Sequence, residues 1–264
     1  MGRLADLTGP AALVQRSIET FVRAYGVNLD EAEVPNEGFE SFDAFFTRAL
    51  KPGKRTIDAR DEVVISPADG RLDDFGTIGP NAKFSVKGST YDVGELLGDP
   101  TGAQRYRDGT FFIVYLSPKD YHRVHAPVDG RVTGLRHVDG TLYPVNSIGL
   151  NYVPRLFARN ERVVIHQSSR FGQTATVMVG AIGVGRISIT FEPRVMTNSG
   201  RVAATYDYAD RGPALRRGEE LGRFHLGSTA IVLLEPGRSY RFEAAHKASV
   251  RLGQGICVRE GARA

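Results

Sequence analysis

Apolar positions recur at helical spacing along the first 50 residues. Val14, Ile18, Phe21, Val22 and Tyr25 share one helical face, with Pro10 near its start and Gly26 at its end. Phe39, Phe42, Phe45, Phe46 and Leu50 form a second stripe, which Lys51-Pro52-Gly53 stops. Both stripes predict amphipathic helices packed on the body of the protein. Beyond them the period changes to short β-type runs broken by glycine, at 62–65, 110–116, 162–166, 174–181, 186–191, 229–234 and 249–252. The expected class is α+β: a β-rich core of short antiparallel strands and hairpins with N-terminal amphipathic helices. The chain divides at 1–55 and 56–264 on this pattern.

A weak internal repeat sets Ser66-Pro67-Ala68-Asp69-Gly70-Arg71-Leu72 against Ala126-Pro127-Val128-Asp129-Gly130-Arg131-Val132. Each reads as an Asp-Gly turn leading into a strand, so two related hairpins are expected. The charged stretch 207–220 reads as an exposed loop. Composition adds limits. Cys257 is the only cysteine, which excludes an intramolecular disulfide and a cysteine-rich metal site, and its apolar neighbours predict a buried strand. The net charge of +4 is mild and by itself names no partner. The N-terminus lacks the apolar core of a secretory leader, and no run is long enough to span a bilayer as a helix.

Three clusters can carry chemistry. His122 and His125 lie three residues apart after an apolar strand, a spacing that suits proton transfer or metal binding. Gly227-Ser228 precedes another apolar run. Glycine leaves its carbonyl open to approach, and the following hydroxyl can attack that carbonyl once a base takes its proton. Asp69 is by default a turn residue, and can also orient a histidine in a Ser–His–Asp relay.

These clusters fall within a longer series of motifs. Phe45-Phe46-Thr47-Arg48-Ala49-Leu50-Lys51-Pro52-Gly53-Lys54-Arg55 comes first, then Ser66–Gly70. Phe84-Ser85-Val86-Lys87-Gly88 leads to Leu96-Leu97-Gly98, and Asp120-Tyr121-His122-Arg123-Val124-His125 follows. Tyr143-Pro144-Val145-Asn146, the run 156–162, Val179-Gly180-Ala181 and Leu226-Gly227-Ser228-Thr229 complete the order. The series resembles the phosphatidylserine decarboxylase family of prokaryotic type over nearly the whole chain. Arg186 departs from the resemblance, standing where the family usually has a small serine; Arg217 and Leu221 replace the more usual lysine and methionine, and His225 stands where another basic residue is more familiar.

The resemblance implies a proenzyme that cleaves itself between Gly227 and Ser228, giving chains 1–227 and 228–264. Asp69 would orient His125, His125 would activate Ser228, and Ser228 would become a covalent pyruvoyl group. That group would decarboxylate phosphatidylserine to phosphatidylethanolamine through a Schiff base, with His122 as first candidate for the returning proton. No resident metal or nucleic acid is implied. The implied partners are phosphatidylserine, the membrane surface, the two cleaved chains for each other, and a second copy in a homodimer. The implied location is peripheral, on the cytoplasmic face of the cell membrane. A zinc peptidase built on His122, His125 and Asp69 is a rival, but it lacks the usual further histidine pair. A lipoyl-type carrier would need a lysine at a hairpin tip, and neither repeat offers one.

Overall fold

The computed structural model describes residues 10–182, 186–198, 203–225, 228–237 and 239–261. The first expected helix forms as α1, Ala11–Tyr25. Gly26 closes it in the left-handed region at φ 66°, returning its N–H to the Val22 carbonyl. The second is only α2, Phe42–Phe46, capped by Ser41, whose Oγ accepts from Ala44 N–H at 3.0 Å. The stripe reaching Leu50 predicts a longer helix. Instead Ala49 and Lys51 exchange backbone bonds with Glu33 and Glu31, so Leu50 lies in a bridge with Ala32. Val14, Ile18, Phe39, Phe45 and Phe46 bury together as one cluster. The packing expectation holds, and Leu13 and Tyr25 are left exposed.

The strands are β1 Val63–Ile65, β2 Gly70–Thr77, β3 Lys83–Val86, β4 Ser89–Asp92, β5 Thr110–Leu116 and β6 Arg123–His125. Then come β7 Gly130–Val138, β8 Arg162–Ser169, β9 Gly172–Val179, β10 Ile187–Ile189, β11 Thr205–Asp207 and β12 Ala214–Leu215. The last are β13 Glu220–Phe224, β14 Ser228–Leu234, β15 Tyr240–Phe242, β16 Ser249–Val250 and β17 Gly255–Arg259. Every ladder between these strands is antiparallel, which bears out an α+β, β-rich class.

The main sheet runs β11-β7-β8-β9-β14-β5-β2-β16, with β12 also on β7. β14 is central and buried along its whole length. Its alternate residues feed two cores, as the period of two requires. Ala230, Val232 and Leu234 join one; Ile231 and Leu233 join the other. Ser228 shares the parity of Ala230 and therefore faces the first core, which also holds Val124, Leu221 and Phe224. Two smaller sheets, β1-β17-β15 and β10-β13-β6, carry the flanking segments.

The repeat is real, but it does not form hairpins. β1 and β2 flank the first Asp-Gly turn, yet β1 pairs with β17 and β2 with β5. β6 and β7 flank the second, yet β6 pairs with β13 and β7 with β8. Each turn is an arch between sheets. The arches grip one another: Ile65 N–H donates to the Pro127 carbonyl at 3.1 Å, and His125 N–H to the Pro67 carbonyl at 2.8 Å. Gly70 and Gly130 are required by close approach, since a Cβ would stand 2.3 Å from the Tyr115 carbonyl oxygen and 2.7 Å from that of Ser168. Cys257 is buried in β17, as expected.

Candidate active site

β5 ends at Leu116, and the turn after it returns as β6, so the turn carries His122 and β6 ends on His125. His122 is fully buried. Its Nδ1–H donates to the Asp120 carbonyl at 2.8 Å, which leaves the lone pair on Nε2. That Nε2 has no hydrogen-bond partner. Phe46 covers the ring, with centroids 4.1 Å apart. Burial, aided by the positive charge of Arg48, pushes the His122 pKa down to about 3, so the imidazole is neutral at ordinary pH.

His125 is held at both nitrogens. Nδ1–H donates to the Gly218 carbonyl at 2.8 Å, and Nε2 accepts from the Tyr121 hydroxyl at 3.1 Å. Burial lowers its pKa as well.

Ser228 opens β14 opposite Leu116, and its side chain is fully buried. Its Oγ has no hydrogen-bond partner. A buried hydroxyl without a partner costs about 1–3 kcal/mol, so it calls for a functional account. Four residues upstream, Phe224 N–H donates to the His122 carbonyl at 2.9 Å, tying the chain before Ser228 to the histidine turn. Gly227 lies outside the described residues.

Asp69 does not hydrogen-bond to His125 in this state. Its carboxylate accepts from Arg55 Nε at 2.8 Å, from Arg55 Nη2, and from Leu252 N–H at 2.9 Å. Arg55 also reaches Glu31 at 2.8 Å, and these two carboxylates hold its pKa above the usual arginine value. Asp69 acts on His125 through its field alone, favouring the protonated ring.

The structure therefore leaves His122 Nε2 and Ser228 Oγ buried without a hydrogen-bond partner, while His125 and Asp69 are each engaged in other bonds. Sequence reading misses Tyr121 and Gly218 as His125 partners. Tyr121 lies inside the histidine motif and could have been found; a backbone carbonyl leaves no side-chain signal.

Two of the departures, Arg186 and His225, meet at Asp43. His225 Nδ1 meets both Asp43 carboxylate oxygens at 2.9 Å, and Nε2 meets Ser188 Oγ at 3.0 Å. His225 N–H donates to the Arg186 carbonyl at 3.0 Å, and Arg186 Nη2 stands 3.6 Å from Asp43. Arg186 and His225 thus share one carboxylate of α2, three residues before Ser228.

Among the described residues, His122, His125 and Asp69 do not converge as metal ligands; the one such group is His137, Asp139 and Glu161. His137, isolated in the sequence, donates Nε2–H to Glu161 Oε1 at 2.9 Å, and that carboxylate also takes Asn198 N–H.

Residues 42–258 match the model of the phosphatidylserine decarboxylase family. A phosphatidylserine decarboxylase proenzyme of Marinobacter nauticus is 43% identical over 238 residues, covering 89% of this chain and 83% of that one. One from Xanthomonas axonopodis pv. citri is 44% identical, over 92% of this chain and 88% of the relative. One from Myxococcus xanthus is 40% identical, over 98% and 92%. The chain belongs to the phosphatidylserine decarboxylase family.

Proposed function

We propose that the chain is a self-processing proenzyme that cuts itself between Gly227 and Ser228 and then decarboxylates phosphatidylserine to phosphatidylethanolamine. The observation that carries this reading is the buried, partnerless Ser228 Oγ on the sheet face that also holds the histidine turn. Maturation needs that hydroxyl uncommitted. Ser228 Oγ attacks the Gly227 carbonyl, and the peptide C–N bond breaks as an ester forms. Elimination breaks the Cβ–Oγ bond, frees the Gly227 carboxylate and leaves dehydroalanine at 228. One water then enters, ammonia leaves, and a pyruvoyl group remains. His125 is the base in this reading, and the Tyr121 hydroxyl must first release Nε2. Asp69 supports the proton on His125 through its charge.

The residues present fit the group: Ser228 supplies its atoms at the head of a fully buried strand, with no side-chain bond to break. When formed, the pyruvoyl group supplies an electrophilic carbonyl and an electron sink for loss of carbon dioxide. His122 is the candidate for returning a proton to the carbon that lost carbon dioxide, because its buried Nε2 is committed to no other partner. Phe46 excludes water from that ring. The two cleaved chains remain one body in this reading, because β14, β16 and β17 pair with β5, β9, β2 and β1 of the other chain.

Among the described residues, no helix is long and apolar enough to cross a membrane. The reading has residues 1–55 meet the cytoplasmic face of the membrane and 56–264 form the catalytic body, in a homodimer. The exposed Leu13 and Tyr25 of α1, near Arg16 and Arg23, are the contacts proposed for lipid. The buried Phe39, Phe45 and Phe46 serve packing instead. The test is release of carbon dioxide from phosphatidylserine in mixed micelles. The purified protein should release it and the Ser228→Ala variant should not; equal release by both would remove Ser228 from the reaction.

A further inference from the structure

We propose that Arg48 is the anion-recognition residue of this site, taking the phosphodiester or the carboxylate of the aminophospholipid headgroup. The proposal rests on the function proposed above and extends it to the substrate's charged groups. Arg48 follows α2 and is only 4% exposed. Its guanidinium donates to three backbone carbonyls: Nη1 to Phe45 at 3.4 Å, and Nη2 to Lys119 at 3.2 Å and Asp120 at 3.4 Å. All three are long, and Nε–H has no partner. Among the described residues no carboxylate lies within ion-pair distance of it. A buried cation in this condition is costly, and an arriving anion would offset that cost.

The neighbouring carboxylates are already engaged. Asp69 and Asp120 reach Arg48 only through their fields, while burial pulls its pKa below the usual arginine value. Asp69 holds Arg55 and the Leu252 N–H. Asp120 Oδ2 accepts from Ser117 N–H and Oγ–H, both at 2.8 Å. Two partly buried guanidiniums nearby are paired, Arg55 with Asp69 and Glu31, and Arg123 with Glu220 at 2.9 Å.

Position ties Arg48 to the chemistry. The Asp120 carbonyl that accepts from Arg48 also accepts from His122 Nδ1–H, so cation and imidazole converge on one oxygen. Arg48 lines two cavities. One, of about 270 Å³, also has Lys119 at its wall, a second cation without an ion pair among the described residues. The other, of about 950 Å³, extends to His225, three residues before Ser228. An anion at Arg48 would thus stand between solvent and the histidine turn.

The test uses Arg48→Lys and Arg48→Gln, each allowed to process and checked by intact mass. Calorimetry then measures binding of glycerophosphocholine, a phosphodiester, and of betaine, a carboxylate; neither has a primary amine to condense with a carbonyl. Processed Arg48→Gln should bind one of them about tenfold more weakly, and its KM for phosphatidylserine should rise about tenfold with kcat within about threefold. Arg48→Lys should restore part of the loss. Loss for glycerophosphocholine assigns the phosphodiester, and loss for betaine the carboxylate. Unchanged binding of both with unchanged KM overturns the proposal. So does failure of both variants to process, since Arg48 would then be needed only to build the site. A wild-type protein that stays one chain would defeat the proposed function itself, and this proposal with it.

Discussion

The two Asp-Gly arches have one backbone design and two environments. Each runs Pro-x-Asp-Gly into a long strand of the main sheet, and each lends the other a hydrogen bond. Asp69 is buried, clamps Arg55 and lies within electrostatic reach of His125. Asp129 has a half-exposed side chain that meets Arg217 at 3.2 Å at the surface. A turn motif therefore specifies a chain path, and only the packing around it decides whether its aspartate does chemistry.

The largest effect should come from separating the two aspartates. Asp69→Ala leaves Arg55 nearly buried with Glu31 as its one remaining ion-pair partner among the described residues, and should cost about 3–5 kcal/mol. Asp129→Ala should cost about 1 kcal/mol, because its carboxylate is half-exposed and the Arg217 guanidinium keeps backbone carbonyls as partners. Urea unfolding in a Ser228→Ala background, which keeps one chain, measures both; equal losses would erase the distinction between the arches.

The histidines leading into the second arch sharpen the contrast through pH. Burial holds His122 near 3 against an ordinary 6.5, and lowers His125 too. As pH falls below 6.5 the unfolded chain takes up protons that the folded chain refuses, so stability is lost on acidification toward the folded values. Above pH 6.5 both states are neutral and these groups contribute no slope. His122→Asn, whose amide can still donate to the Asp120 carbonyl, should flatten the decline of melting temperature between pH 6.5 and about 4. An unchanged slope would mean that His122 protonates freely in the fold.

Next in size is the tie between α2 and the chain before Ser228. Asp43→Ala removes the carboxylate shared by His225 and Arg186, and should slow self-cleavage about tenfold, close to 1.4 kcal/mol in the barrier. Quenched time points read by mass follow it, and cleavage at the wild-type rate would show the tie to be incidental. The smallest effect is expected from Tyr121→Phe, which deletes one hydrogen bond for about 1 kcal/mol while freeing His125 Nε2. Cleavage should be no slower than in wild type. A clear slowing would mean that the Tyr121 hydroxyl takes part.

Much of this was legible in the residues. The run 110–116 is strand β5, and 229–234 lies within β14, because apolar runs between glycine-rich turns have few alternatives in a buried sheet. The motifs named His122, His125, Asp69 and Ser228, and their partners were less legible. Arg55 meets Asp69 across 14 residues, and His225 meets Asp43 across 182, separations at which local pattern carries no information. The expected hairpins do not form for a related reason: an Asp-Gly turn specifies a change of direction but not which strand pairs next. The α2 stripe ended early because bridging of Leu50 to Ala32 overrode helical periodicity.

The most direct test of the central claim is the intact mass of freshly purified wild-type protein. The account predicts two chains, 1–227 and 228–264, the smaller lighter by one ammonia than a serine-terminated peptide of that sequence, with Ser228→Ala remaining whole. A single wild-type species of 28.8 kDa would contradict it.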